Sequence, residues 1–100
     1  MTSGYKIVWT DFALGELDDT IEYLRQNWTE RELRKLATEI EKTLNLISHN
    51  PNLFPKSEIK KHIHRVVVAK NNTLYYRILD DAVQIISFFS NRQSPNKLKV

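Results

Sequence analysis

The chain has 100 residues, 41% of them hydrophobic, with two glycines, three prolines and no cysteine. That length supports one domain with a modest core, and the missing cysteines exclude disulfides and thiolate metal sites, which fits a reducing cytoplasm. The net charge of +3 is unevenly placed: residues 1–55 carry 6 Lys/Arg and 9 Asp/Glu, residues 56–100 carry 9 and 3. The second half therefore offers a surface for a polyanion or an acidic partner.

Tyr5 to Trp9 alternates and is β-rich, predicting a first strand over 5–9. Thr10 or Asp11 then caps a helix over 11–27, in which Leu14, Leu17, Ile21, Leu24 and Trp28 form one stripe. Thr29-Glu30-Arg31-Glu32 reads as a capping box opening a second helix over 30–49, with Leu33, Leu36, Ile40, Leu44 and Ile47 on its stripe. So short a connection makes the two helices an antiparallel hairpin. Asn50-Pro51 stops the second helix. In the loop that follows, Leu53 and Phe54 are read as apolar anchors.

The period then changes to two. Residues 63–69, 73–79 and 83–89 read as strands, separated by turns at Lys70-Asn71-Asn72 and Asp80-Asp81, where Asn and Asp tolerate left-handed backbone. Val83 to Phe89 is apolar on both parities, so it is placed centrally in the sheet. Residues 90–100 form a polar, basic tail. The fold class is α+β: an N-terminal strand, an antiparallel helical hairpin, then three C-terminal strands in a small, mainly antiparallel sheet, all in a single domain over 1–100. No apolar run approaches the roughly 18 residues of a membrane span, and the N-terminus does not read as a signal peptide, so the expected location is cytoplasmic.

The chain has no phosphate-binding glycine loop, glycine-flanked serine or zinc spacing. His62-x-His64 puts two imidazoles near one strand face but lacks a third ligand; no metal or cofactor is expected, and two solvent-facing edge histidines are the simpler reading. The basic set for a partner or polyanion is Lys56, Lys60, Lys61, Arg65, Arg77 and Arg92. Arg65 and Arg77 lie within strands, where each needs an exposed face or an acid such as Glu58, Asp80 or Asp81. Tyr75-Tyr76 places one ring on each sheet face, and an exposed tyrosine among arginines can stack on a base.

Four local patterns follow in order within residues 5–92 and just beyond: Leu46-x-x-x-Asn50-Pro51, Ile63-x-Arg65-x-Val67, Tyr75-Tyr76-Arg77-Ile78, and Ile85-Ile86-Ser87-Phe88-Phe89-Ser90-Asn91-Arg92-Gln93-Ser94-Pro95. Together with the element order they resemble the RelE/ParE superfamily of type II toxin–antitoxin toxins, and the Asn91-to-Pro95 ending resembles its plasmid-stabilisation-like branch. The resemblance implies a cytoplasmic toxin that inhibits growth and is neutralised by a cognate antitoxin, often acidic. ParE-like members bind and inhibit DNA gyrase; RelE-like members cut mRNA on the ribosome. RelE-like nucleases use basic residues near the second strand, an arginine on the third, and an arginine and a tyrosine near the C-terminus. Here His64, with Lys61 or Arg65, stands at the first position, Thr73 at the second and Arg92 at the third, and no tyrosine follows Arg92. If the chain were a nuclease, His64, Arg65 and Arg92 would be its catalytic set, but that set is incomplete. Gyrase binding is the leading expectation. Ribosome-dependent endoribonuclease activity and a non-toxic basic nucleic-acid-binding domain are the alternatives. The basic sheet, with the groove beside the helical hairpin, is expected to bind an acidic antitoxin segment less tightly as salt rises, whereas a salt-independent affinity would point to a hydrophobic groove.

Overall fold

The computed structural model describes residues 4–27, 29–57 and 62–90. In chain order they form β1 (Lys6–Trp9), α1 (Asp11–Asn27), α2 (Glu30–His49), β2 (His64–Val68), β3 (Asn72–Leu79) and β4 (Ala82–Ser90). The sheet order is β1-β4-β3-β2, with β1 and β4 parallel and the other pairs antiparallel. Both helices pack on one face of this sheet, giving the α+β arrangement. No helix among the described residues is long and apolar enough to cross a membrane.

Thr10 turns the chain from β1 into α1. Its hydroxyl accepts the Ala13 N–H and donates to the Ile85 carbonyl, both at 3.1 Å, and its own N–H reaches the same carbonyl. Thr29 behaves differently. Its side chain makes no cap hydrogen bond, because the Glu32 N–H that a capping box would serve already donates to the Thr29 carbonyl at 3.1 Å. Gly4 seats the N-terminus against the end of α2: a Cβ there would lie 2.5 Å from Ser48 Oγ. Ser48 in turn accepts the Tyr5 N–H at its carbonyl and donates its hydroxyl to the Tyr5 carbonyl.

The apolar stripes are rotated from the buried faces. α1 buries Ala13, Thr20 and Leu24, while Leu14 is 42% exposed; α2 buries Leu36, Thr43 and Ile47. Leu17, Ile21, Leu33, Ile40 and Leu44 are half-buried and lean toward the gap between the helices. In the loop after α2 only Phe54 anchors against the core; Leu53 is 51% exposed. The β2–β3 turn also departs from expectation. Its left-handed residues are Ala69 and Lys70, with φ of 53° and 70°, because Asn72 is already in β3 and buried, its Nδ2 donating to the Val68 carbonyl. The β3–β4 turn has Asp80 left-handed, as its composition suggested.

β4 is central, between β1 and β3. Its double parity has a local cause. Tyr75 faces Ser87 and Tyr76 faces Ile85, so Ile86 is an extra residue, a β-bulge. Strict alternation from Val83 and Ile85 would turn Phe88 outward; the bulge switches parity and buries it. α1 holds this bulge. Glu16 Oε1 accepts the Phe88 N–H at 2.8 Å and the Ser87 hydroxyl at 2.7 Å, on the stretch of β4 beyond its pairing with β1. Replacing Glu16 by Ala leaves the Phe88 amide without its acceptor, so Glu16→Ala is expected to destabilise the protein by about 2 kcal/mol in urea unfolding. Asp18→Ala on the exposed face of the same helix should change stability by less than about 0.5 kcal/mol.

Candidate functional site

Neighbouring residues in a strand point to opposite faces, and this rule separates two residues that the sequence brings together. In β2, His64 turns toward the helices and is 4% exposed, while Arg65 turns outward and is exposed. His64 is therefore not a solvent-facing histidine. Its ring stacks on Tyr76 with centroids 5.0 Å apart and planes 9° from parallel, and its Nδ1 is 2.8 Å from the Phe54 carbonyl. That distance makes Nδ1 the protonated, donating nitrogen, since a carbonyl can only accept. His62 lies in the preceding turn and is exposed, so the two imidazoles share no face. Among the described residues, no group of three His, Cys, Asp or Glu side chains is placed to hold a metal ion.

Tyr76 is fully buried under the helices, and its hydroxyl donates to the Pro51 carbonyl at 2.7 Å. Burial pushes its pKa from 10.0 up to about 12, against a smaller downward pull from a backbone hydrogen bond at Phe54. The stacked pair thus ties the loop after α2 to the sheet through two carbonyls. The same loop pairs along the outer edge of β2: Arg65 N–H donates to the Pro55 carbonyl, Ser57 N–H to the Ile63 carbonyl, and Lys56 bridges to His64. Lys56 is held there and exposed.

The opposite face of the sheet collects the strand arginines. Arg65 is paired across the strands with Tyr75, and Arg77 follows Tyr75 by two residues on the same face. Arg77 Nε donates to Gln84 Oε1 at 2.7 Å. Among the described residues the ion pairs are Arg25–Glu22, Arg34–Glu30 and Lys42–Glu39, all on the helices. Neither Asp80 nor Asp81 pairs with Arg77, because the turn carries them beyond the strand end. Lys60, Lys61 and Arg92, and with them Glu58, lie outside the described residues, as does Trp28. Of the sequence-derived basic set, the fold places Arg65 and Arg77 on one sheet face and Lys56 at its edge.

The fold opens a second surface from residues that read as core in the sequence. Between α1 and α2 lies an open groove of about 560 Å³, lined by Leu17, Ile21, Leu33, Ala37, Ile40 and Leu44. The only charged residue lining it among the described residues is Glu41. The signal for it is an apolar stripe wider than one buried helix face requires.

A family model described as ParE toxin of type II toxin-antitoxin system, parDE, matches residues 7–95. Among solved structures, a chain of the chromosomal ParDE toxin–antitoxin system from P. aeruginosa matches with a TM-score of 0.72 at 14% identity, covering 89% of this chain and 98% of that one. The YoeB dimer from Staphylococcus aureus matches at 0.57 with 20% identity, covering 83% and 92%. The conserved hypothetical protein HP0894 from Helicobacter pylori matches at 0.57 with 16% identity, covering 88% and 96%. At these identities the likeness is one of fold. A comparison with curated proteins finds no match.

Two measurements check the buried pair. His64→Ala removes a packed ring and a buried hydrogen bond and is expected to lower stability by about 3 kcal/mol in urea. Tyr76 keeps its proton in the folded state at pH values where the unfolded chain has lost it. Its contribution is therefore whole below pH 10 and is lost as pH rises toward about 12. Tyr76→Phe should flatten that part of the pH–stability curve.

Proposed function

This chain belongs to the ParE toxin family of type II toxin–antitoxin systems, and on that premise we propose that it inhibits growth by binding DNA gyrase without catalysing a reaction, and that a cognate antitoxin neutralises it. The observation that carries the non-catalytic reading is the burial of His64, stacked on Tyr76 and bonded to Phe54 on the face opposite Arg65. Cleaving RNA through its 2′-hydroxyl needs a base and a phosphate-binding cation converging on one phosphodiester. A base buried beneath the sheet and an arginine above it do not converge. Binding an essential machine makes no such geometric demand.

The inter-helix groove suits an antitoxin segment with an apolar helical face, since little there except Glu41 calls for a charged partner. That makes the contact mainly hydrophobic, and the expected salt dependence of antitoxin affinity is weak. Ala37 lines the groove and is exposed, so Ala37→Glu should leave the fold intact. It should weaken antitoxin binding at least about tenfold by calorimetry. An unchanged affinity would move the antitoxin to another surface.

The target is tested with the purified protein, free of antitoxin, in two assays. A supercoiling assay should show inhibition of gyrase, with His64→Gln as potent as the parent wherever both are folded. Primer extension on a defined mRNA in a purified translation system should show no new 5′ ends. New ends that appear only with translating ribosomes would replace this reading with a RelE-like nuclease. Induction without the antitoxin that leaves growth untouched would instead point to an inert nucleic-acid-binding relative.

A further inference from the structure

Among the described residues, the strands contribute only positive charge to the sheet face turned away from the helices. None of the four strands contains Asp or Glu. Ile7, His64 and Tyr76 pack toward the helices, so alternation sends Lys6, Arg65 and Arg77 to the other face. Arg77 is fixed by Gln84, a neutral acceptor, at 2.7 Å. Its guanidinium is thus oriented without being neutralised, and its terminal nitrogens keep the fork that suits a phosphate. Of the acids on α1, Glu16 reaches β4, where its Oε1 accepts the Ser87 hydroxyl and the Phe88 N–H, while Asp11, Asp18, Asp19 and Glu22 stay exposed on the helix.

Charge alone would fit any anion. The two central strands add a second feature. Tyr75 on β3 and Phe89 on β4 both turn to this face and are half-buried, Phe89 because the bulge has switched the parity of β4. Thr73 pairs with Phe89 and Tyr75 with Ser87, so the two rings are diagonal neighbours, with Cα atoms about 7 Å apart. Arg65 and Arg77 flank Tyr75 across and along the strands. Aromatic rings on the central strands of a four-stranded sheet, with cations beside them, match the chemistry of a base that stacks and a backbone that is anionic. An acidic peptide would use the arginines and leave the rings without a role.

We infer that this open face binds a single nucleic-acid strand without cutting it, bases stacking on Tyr75 and Phe89 and phosphates held by Arg65 and Arg77. The inference does not depend on gyrase being the target, since it concerns a surface and a ligand that neither the supercoiling nor the antitoxin assay reads.

Fluorescence anisotropy tests it with the whole chain and labelled oligonucleotides of about 12 nucleotides, a length within the range such platforms occupy. The probes are an adenine strand, a thymine strand, a strand of the same length made wholly of abasic sites, and a polyglutamate peptide. The base-bearing strands should bind more tightly than the abasic strand and the peptide. Tyr75→Ala should weaken them roughly tenfold and leave the abasic strand unaffected, with Tyr75→Phe restoring most of the affinity. Arg65→Ala and Arg77→Ala should weaken all strands and each lower the salt slope by about one phosphate contact. Thermal melts of every variant check that the fold is kept. The inference is overturned if no strand binds at low salt or if the abasic strand or polyglutamate binds as well as the base-bearing strands. It also fails if folded variants at Tyr75, Arg65 and Arg77 all bind like the parent.

Discussion

The bulge in β4 sets which residues the rest of the structure can use. One extra residue, Ile86, switches the strand from burying Val83 and Ile85 to burying Phe88. Past the bulge β4 also runs beyond the end of β1, and the backbone groups on that edge need partners. Thr10 and Glu16, at and near the start of α1, supply them: the Thr10 hydroxyl to the Ile85 carbonyl and the Glu16 carboxylate to the Phe88 amide. The same bonds fix the angle at which α1 leaves β1 and lies along β4. Core composition, helix placement and the outward turn of Phe89 are therefore consequences of one local irregularity and its two clamps.

The sheet then sorts chemistry by face. On the helical side, His64 and Tyr76 form a stacked pair whose polar atoms are spent on the Phe54 and Pro51 carbonyls. They hold a loop in place, and a ring so buried lacks the exposure that proton transfer to a ligand needs. On the other side, neither Arg65 nor Arg77 forms an ion pair with an acid among the described residues. The strands carry Lys6, Arg65 and Arg77 and no acid, while the helices carry both signs with acids in excess. For a toxin of this family, this means that the helical groove and the sheet face present unlike chemistry and are open to unlike partners.

Much of this was legible in the sequence because it depends on short-range physics. Helix limits follow from apolar period, proline and the residues that flank it, and the first helix is capped by Thr10 as its position suggests. Strand composition, the split of Tyr75 and Tyr76 between faces, and the left-handed Asp80 are equally local. Where the structure departs from these patterns, a residue does not use its commonest local option. Thr29 was given a capping role that the Glu32 amide did not need. Leu53 is as apolar as Phe54, yet only Phe54 reaches the core. The composition of Lys70-Asn71-Asn72 favours a turn, yet a buried hydrogen bond to Val68 draws Asn72 into the strand, and the left-handed residues are Ala69 and Lys70.

The sequence by itself determined the element order, the α+β class, the family resemblance and the excess of positive charge on the strands, because periodicity, turn chemistry and composition act over a few residues. Only the tertiary structure decided which of those residues meet. It turned His64 inward and Arg65 outward, paired Arg77 with Gln84 rather than an aspartate, left a groove where two apolar stripes were wider than the core, and brought Tyr75 and Phe89 to one face. Each of these depends on strand order, register and a single inserted residue, and a shift of one position in a strand exchanges its faces, which no local pattern in the chain records.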